Sequence, residues 1–360
     1  MVWKKNGEDA YFAASNSKKG FFSYYSACFD APHIQRVFAI KGGPGTGKSR
    51  FLRDVATFFG NRGASVEYIY CSSDPNSLDG VILTQNGRSV ALLDATAPHV
   101  YEPSRVGVRE EIVNLGAFWD RGKLAQRREE IEALSFQKSA AYQRAYRYLA
   151  SIGKLLEVRD ELVAPFVRQD SVKAYAEKLM RHVPMGCASD IRTTLVRSVG
   201  MCGEVGLLGN VMQDTRLVLI DDVHGAARYL TDALLDLAVG RRQRIRVSHD
   251  PVDPDRVDAI CFSDCNLTFL VGRQEALLAV DKTICMRRFL DTPRLSDRRK
   301  ALNTSARARR ILWEGALEAF EEVKSAHFAL EEIYSASMDF SAKEKYTEWF
   351  CNCLLDLQNE

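Results

Sequence analysis

The 360-residue chain contains an internal repeat, and this feature restricts its fold more than any other. The segment VFAIK, residues 37–41, aligns with LVLID, residues 217–221, when Ile40 is placed over Ile220. After a deletion of one residue, VEYIYCSSDPNSLDGVIL aligns with IRVSHDPVDPDRVDAICF. Because the offset is about half of the chain length, we expect each half to be one copy of the same structural unit.

Each copy has an α/β part followed by a helical part. Short apolar strands alternate with amphipathic helices over roughly residues 35–105 and 214–280, which is typical of parallel sheets covered by helices. Apolar or small residues then recur every three or four positions over 131–155, with one gap at Lys138, and again over 313–334. This spacing predicts a long helix at the end of each copy.

A glycine-rich segment, residues 42–49, reads GGPGTGKS and satisfies the pattern G-x-x-x-x-G-K-[ST]. It follows the strand VFAI and precedes a helical pattern that ends at Gly60. Bare glycines let backbone N–H groups approach a phosphate chain, and the helix N-terminus adds partial positive charge. Lys48 is expected to contact the β- and γ-phosphates, and Ser49 to bind Mg²⁺. The predicted nucleotide-binding residues are Gly42, Gly43, Pro44, Gly45, Thr46, Gly47, Lys48, Ser49 and Arg50.

An acidic residue is expected near the magnesium ion. The segment RSVALLD predicts a strand that ends at Asp94, where such loops have their partner carboxylate. We therefore predict that Ser49 and Asp94 hold Mg²⁺ and that Lys48 and Asp94 are the catalytic residues. Thr96 and His99 follow at the same edge; each is interpreted as a turn residue, with γ-phosphate sensing or water orientation as the alternative.

Three other polar groups leave alternatives open. Asp74 and Asp79 persist as Asp253 and Asp258 in the second copy, and Asp followed by Pro is typical of a helix N-cap. We interpret this pair as structural, with a general base as the alternative. His327 lies in the second helical stripe and is interpreted as a core histidine, with a ligand role as the alternative.

The second copy lacks the residues that would hold a phosphate. Residues 221–222 place two carboxylates where a triphosphate would lie, Arg228 replaces Lys48, and Gly272 aligns with Asp94. Like charges at close range are repulsive, so we predict a degenerate second unit that is kept for packing. Candidates for an arginine that reaches the transferring phosphoryl group are Arg228, Arg241, Arg242, Arg244, Arg105 and Arg109.

Composition restricts the compartment and the partners. The chain has no run of about 18 apolar residues and no apolar centre of a secretory signal near its start, and its nine cysteines are scattered. We therefore expect a cytoplasmic protein without membrane contact. Lys and Arg total 49 against 47 for Asp and Glu. The net charge of the chain therefore does not indicate a polyanionic partner. The basic segment 286–313 leaves nucleic acid open as a partner, with a solvated helix face as the alternative.

These motifs resemble a bacterial family of tandemly duplicated P-loop ATPase-like proteins, loosely described as predicted nucleotide kinases. The resemblance implies a nucleotide-binding core in each half with appended helical hairpins, and it assigns phosphate contacts to Lys48 and Ser49. The sequence departs from the family's pattern at residues 221–229. The matching stretches are SNSKKGFFSYYS, IKGGPGTGKS, CSSDPNSLDGV, LLDATAPHVYEP, IVNLGAFWD, RAYRYL and AHFALEEIYSASMDF.

The sequence thus predicts an α/β fold of two tandem P-loop NTPase-like parallel-sheet units, each with an appended long helical hairpin. The expected division is a competent nucleotide unit at 1–105, its helical arm at 106–180, a second unit with a degenerate phosphate loop at 181–285, and a C-terminal arm at 286–360. The expected function is Mg²⁺-dependent binding and hydrolysis of ATP or GTP, coupled to a conformational change. The alternatives are a kinase for a small-molecule or nucleotide acceptor, and a nucleotide-gated module that binds a macromolecular partner with little turnover.

Overall fold

The computed structural model describes residues 9–98, 101–187, 189–207, 215–272 and 279–359. Each half of the chain forms one six-stranded mixed sheet, and long helices accompany both sheets. No helix in these described ranges combines the length and the apolar character that a membrane span requires.

The first half forms a sheet in the order β1-β5-β6-β7-β4-β8, in which β6 is antiparallel to both neighbours and all other pairs are parallel. Strands β2 and β3 form a separate antiparallel pair. The strands are β1 (Asp9–Phe12), β2 (Ala14–Ser17), β3 (Gly20–Ser23), β4 (Ile34–Lys41), β5 (Ser65–Tyr70), β6 (Leu78–Gln85), β7 (Arg88–Asp94) and β8 (Glu110–Asn114). The helices are α1 (Tyr25–Phe29), α2 (Lys48–Gly60), α3 (Arg121–Gln126), α4 (Arg128–Val163) and α5 (Gln169–Met180).

The second half repeats this topology. Its sheet has the order β9-β13-β14-β15-β12-β16, again with only the third strand of that order antiparallel to its neighbours among the described strands. The strands are β9 (Asp190–Thr194), β10 (Arg197–Gly200), β11 (Gly203–Gly206), β12 (Arg216–Asp221), β13 (Arg244–His249), β14 (Val257–Phe262), β15 (Leu267–Val271) and β16 (Lys282–Cys285). The helices are α6 (Ala227–Gly240), α7 (Thr292–Leu295), α8 (Arg299–Ser335) and α9 (Phe340–Asn359).

The sheets are mixed, whereas the sequence predicted parallel ones. The connection from β5 to β6 is a turn, in which Asp74 accepts hydrogen bonds from the N–H of Asn76 at 3.1 Å and the hydroxyl of Ser77 at 2.8 Å. Asp74 is therefore a turn residue, and the predicted helix N-cap at this position is wrong. A connection this short reverses the chain, because parallel strands need a crossover of about a dozen residues or more.

The local elements of the first unit agree with the sequence patterns. Helix α2 begins at Lys48, ends at Gly60, and buries the apolar face that the pattern predicts. Strand β7 ends at Asp94, and β8 completes the sheet beside β4. Because β8 lies beyond residue 105, the predicted boundary there cuts the first sheet.

The two long helices pair with each other instead of forming a hairpin within each unit. Helices α4 and α8 run antiparallel, with an exposed ion pair between Arg144 and Glu322 and a hydrogen bond of 3.2 Å from the hydroxyl of Ser305 to the carbonyl of Leu155. Each copy thus contributes one helix to a shared pair. The predicted hairpin in each unit is wrong in this respect, because the apolar stripe of one long helix is buried against the other copy.

The segments that follow the long helices pack on the opposite sheet. In α5, Val172 and Met180 belong to the core of the second sheet. In α9, Phe350 and Leu354 belong to the core of the first sheet, together with α2. The helical arms are therefore exchanged between the two units.

Two ion pairs cross directly between the two sheets. Arg192 on β9 binds Glu67 on β5, and Arg246 on β13 binds Asp9 on β1. The side chains of Arg192 and Glu67 are 25% and 19% exposed. Partly buried pairs of this kind are screened less by salt than surface pairs, so they contribute to holding the two units together.

Candidate functional site

The glycine-rich loop joins β4 to α2 at the carboxyl edge of the first sheet. Gly45 and Gly47 have φ angles of +69° and +75°, a region that side chains with a Cβ rarely adopt. Gly47 is also the residue that immediately precedes α2. The conformation of the loop therefore depends on glycine at these two positions.

The C-terminal end of α8 covers one side of this loop. A Cβ at Gly45 would collide with the backbone carbonyl of Glu331 and with Ser335. The hydroxyl of Ser335 donates a hydrogen bond of 3.2 Å to the carbonyl of Gly45. Because α8 belongs to the second copy, both copies contribute to the surroundings of the loop.

Lys48, the first residue of α2, is turned back onto the loop. Its Nζ donates to the carbonyls of Gly42 and Gly43 at 2.9 and 2.8 Å and lies 3.5 Å from Asp94 Oδ2. The side chains of Lys48 and Asp94 are only 14% and 12% exposed. An anionic oxygen is a stronger acceptor than a neutral carbonyl, so this ammonium group is placed to exchange loop carbonyls for an anion.

Ser49 and Asp94 each keep coordinating capacity beside Lys48. The Oγ of Ser49 accepts the N–H of Leu78 at 2.9 Å, which uses one of its two lone pairs. Asp94 accepts the N–H of Thr96 on Oδ1 at 2.8 Å, while its Oδ2 faces Lys48. Among the described residues no group of three or more His, Cys, Asp or Glu side chains could hold a metal. The arrangement fits Mg²⁺, which binds through one or two protein groups together with phosphates and water.

The other predicted site residues occupy different positions. Thr46 is buried and donates its hydroxyl to a loop carbonyl at 2.9 Å, and Pro44 lines the cavity described below. Arg50 points outward from α2, with its side chain 75% exposed and an ion pair of 2.8 Å to Asp54. His99 lies outside the described residues.

Two adjoining cavities open at the loop. The smaller, of about 140 Å³, lies over the loop, and the larger, of about 410 Å³, lies between the loop and α4. Lys48, Asp79, Asp94 and His327 line both. Polar and aromatic side chains that line the larger cavity include Thr96 and, from α4, Lys138, Ser139, Tyr142, Gln143 and Tyr146.

Among the cavity residues from the helical arms, Lys138, His327 and Glu331 carry groups that titrate or are charged and were not among the predicted site residues. Lys138 on α4 interrupts the predicted apolar stripe, and this interruption was the signal that could have identified it. His327 on α8 faces the cavity, not the helix–helix core, and burial together with the charges of Lys138 and Lys48 lowers its pKa to about 4. Burial, with a contribution from Asp74, raises the pKa of Glu331 above its usual value.

Asp79 has a different position from Asp74. It is buried at the start of β6 and lines both cavities with Asp94. Burial and the neighbouring charge of Asp79 raise the pKa of Cys71, which lines the same cavities. Of the two aspartates considered as a general base, Asp79 lines both cavities together with Lys48, whereas Asp74 lines only the smaller of the two.

In the second copy, carboxylates of the protein occupy the equivalent region. Asp222 Oδ1 accepts the N–H of Ala227 at the start of α6 at 2.8 Å. Asp160, from the end of α4, lies 3.0 Å from Arg228 Nη1 and also binds Arg256. In this region Arg228 and Arg256 thus have a carboxylate of the protein as their partner.

The strand register corrects one detail of the repeat alignment. In the first sheet Ile40 lies beside Asp94, and in the second sheet Ile220 lies beside Val271. The structural counterpart of Asp94 is therefore Val271 and not Gly272. The conclusion that the second copy lacks this carboxylate is unchanged.

None of the six candidate arginines lines either cavity. For example, Arg109 binds Asp30 and Glu110, and Arg244 binds Asp264. In the basic segment 286–313 every arginine and lysine is exposed except Arg309. This exposure agrees with a solvated helix face.

Comparisons of this chain with protein-family models, curated proteins and solved structures found no match. Its function is therefore inferred from the geometry and chemistry of the site.

Proposed function

We propose that residues 42–49 bind the phosphates of a magnesium nucleoside triphosphate, ATP or GTP, and that the protein hydrolyses it. The proposal is carried by one observation: Lys48 Nζ, at the N-terminus of α2, is bonded to loop carbonyls and lies 3.5 Å from Asp94. A buried ammonium and a glycine-dependent turn at a helix N-terminus suit phosphate oxygens, and a carboxylate beside them suits the accompanying Mg²⁺.

In this proposal different residues of the site bind the phosphates, hold Mg²⁺ and accept a proton. Lys48 would exchange the carbonyls of Gly42 and Gly43 for β- and γ-phosphate oxygens, aided by backbone N–H groups at the start of α2. Ser49 and Asp94 would hold Mg²⁺, which supplies neutralisation of the phosphate charge. In hydrolysis the γ-phosphorus forms a bond to water oxygen and breaks its bond to the β–γ bridging oxygen, which leaves with the electron pair. Asp79, which lines the same cavity as Lys48, would accept the proton that the water loses.

Contact between the loop and α8 supports coupling of hydrolysis to a conformational change. Ser335 binds the carbonyl of Gly45, and the backbone of Glu331 lies against the same glycine. A change in the loop upon nucleotide exchange would therefore act on a helix of the second copy. The two exchanged arms would transmit that change to both sheets.

Phosphoryl transfer to a small acceptor is the second candidate function. The larger cavity, of about 410 Å³, adjoins Lys48 and Asp94 and presents hydroxyl and amide groups from α4. It supplies room and hydrogen-bonding groups for an acceptor beside the γ-phosphate. In that case the acceptor oxygen would replace water in forming the new bond to phosphorus.

The test compares the wild type with Lys48→Ala, with Arg228→Ala as the matched control at the equivalent position of the second copy. MgATP and MgGTP binding is measured by calorimetry, and nucleoside diphosphate release is measured with and without a panel of acceptors. We expect Lys48→Ala to lose at least about 10²-fold in turnover, with Arg228→Ala close to the wild type. Folding of each variant is checked by circular dichroism.

The outcomes separate the candidates. Phosphate release without an acceptor identifies a hydrolase, and diphosphate release that needs an acceptor identifies a kinase. If folded Lys48→Ala binds the magnesium nucleotides as tightly as the wild type, the proposed site is refuted.

A further inference from the structure

Lys138 is a cation on α4 that faces the phosphate loop across the larger cavity. It lines this cavity together with Lys48 and His327. In the described part of the chain the charged group that acts on the Lys138 ammonium is Lys48, another cation. Burial and this neighbouring charge lower the pKa of Lys138. Among the described residues no carboxylate forms an ion pair with Lys138.

His327 experiences the same positive field. Its pKa is lowered first by burial and then by the charges of Lys138 and Lys48, which outweigh the opposing effect of Asp74. A cation in a partly buried wall without a carboxylate partner is unfavourable. An anion that enters the cavity from outside would relieve this cost.

The second copy provides an internal comparison. Helices α4 and α8 begin at Arg128 and Arg299, and 299 − 128 = 171 = 309 − 138, so Arg309 is the counterpart of Lys138. Burial and the neighbouring cations Arg159 and Arg256 lower the pKa of Arg309, and the carboxylates of Asp160 and Asp222 oppose this effect. The equivalent cation of the second copy therefore differs from Lys138 in having carboxylates among the charges that act on it. At the first site this role is left to a ligand.

We propose that Lys138 binds the terminal phosphoryl group of the triphosphate that the loop holds, so that α4 supplies a second cation to the group being transferred. This inference rests on the proposed function and deepens it. It assigns to a lysine of the helical arm the position for which the sequence offered only arginines. It also predicts that α4 distinguishes a triphosphate from a diphosphate, since only the triphosphate reaches Lys138.

The test uses Lys138→Met, which retains the length and apolar stem of the side chain, in the full-length chain. Arg144→Met is the control, because Arg144 lies on the same helix in an exposed ion pair with Glu322. Affinities for MgATP, for MgADP and for inorganic phosphate in the presence of MgADP are measured for each protein. We expect Lys138→Met to weaken MgATP about 10- to 100-fold, as for loss of a hydrogen bond to a charged group, and to leave MgADP unchanged. Lys138→Arg should recover part of the MgATP affinity.

A readout without nucleotide checks the geometry. Removal of the Lys138 charge should raise the pKa of His327 measured by NMR, whereas Arg144→Met should not change it. An unchanged His327 pKa in Lys138→Met would show that the two side chains do not share the cavity, and would overturn the inference.

The remaining outcomes are equally decisive. Equal losses for MgATP and MgADP, or no loss for either, would refute the role of Lys138 while leaving the proposed function intact. Weaker binding of inorganic phosphate alone would mean that the anion is separate from the nucleotide, which also overturns the inference. A wild type that binds no MgATP would refute the proposed function itself.

Discussion

His327 allows a quantitative prediction, because its charge state couples the helical arm to the field of the loop. Its ring lines the cavity with Lys48 and Lys138. Burial and these two positive charges lower its pKa from 6.5 to about 4 in the folded protein. The perturbation is His327→Gln, which removes the titrating group and retains a polar side chain, and His33→Gln at an exposed position is the control.

The direction in which the free energy of unfolding changes with pH follows from proton binding. Between about pH 6.5 and pH 4 the unfolded chain carries a proton on His327 that the folded protein does not, so acid favours unfolding. For these two pKa values the linkage relation gives a loss of about 2 kcal/mol in the free energy of unfolding from pH 7.5 to pH 5. The contribution is fully present above the unfolded pKa and is lost as the pH falls towards the folded value.

The assay is urea denaturation of ligand-free protein at about pH 7.5 and pH 5, followed by circular dichroism. Carboxylates titrate in all variants alike, so the relevant quantity is the difference between wild type and variant. We expect the wild type to lose about 2 kcal/mol more than His327→Gln over this range, and His33→Gln to behave as the wild type. Equal pH dependence in wild type and His327→Gln would refute the placement of His327 in a buried, positive cavity.

Two further predictions concern contacts between the copies. Gly45→Ala should lower the free energy of unfolding by about 1–3 kcal/mol more than Gly20→Ala in thermal or urea unfolding. The reason is that both glycines have positive φ, but only Gly45 lies against α8. Equal losses would contradict the packing of α8 on the loop. A double-mutant cycle with Glu67→Gln and Arg192→Gln should give a coupling free energy of about 1–3 kcal/mol. The exposed ion pair of Arg144 with Glu322, between α4 and α8, should give less than about 1 kcal/mol. Similar coupling free energies for both pairs would argue against a structural role of the first pair at the sheet interface.

Features with a local signature could be predicted from the sequence. Three elements depend on the residues of one short segment each, and all three are formed as expected: the glycine-rich segment, the amphipathic face of α2 and the strand that ends at Asp94. The direction of β6 has no such signature. It depends on whether the short segment after β5 turns back or crosses the sheet, and the Asp-Pro pair at residues 74–75 is compatible with either.

The exchange of the helical arms between the two copies also could not be predicted from the sequence. An apolar stripe shows that a helix is buried on one face, but it does not specify which surface covers it. Because the two copies have similar sequence patterns, the pattern of the arm does not distinguish the surface of one copy from that of the other. Lys138 and His327 are therefore far from Lys48 in the chain, and only the exchanged packing brings them into one cavity.

The same exchange explains how one fold can hold two copies with different sites. The end of a long helix from the other copy lies at each of the two regions: α8 contributes Glu331 beside the glycine-rich loop of the first copy, and α4 contributes Asp160 at the equivalent region of the second. Asp160 forms ion pairs with Arg228, which aligns with Lys48, and with Arg256, which aligns with Ser77. The charges of the second region are therefore neutralised by the protein itself. At the first region Lys48 is bonded only to loop carbonyls and faces Asp94, which leaves its charge available to a ligand. If the first region binds a phosphate as proposed, the Asp160 carboxylate provides the corresponding negative charge in the second region while the pairing of α4 with α8 is kept.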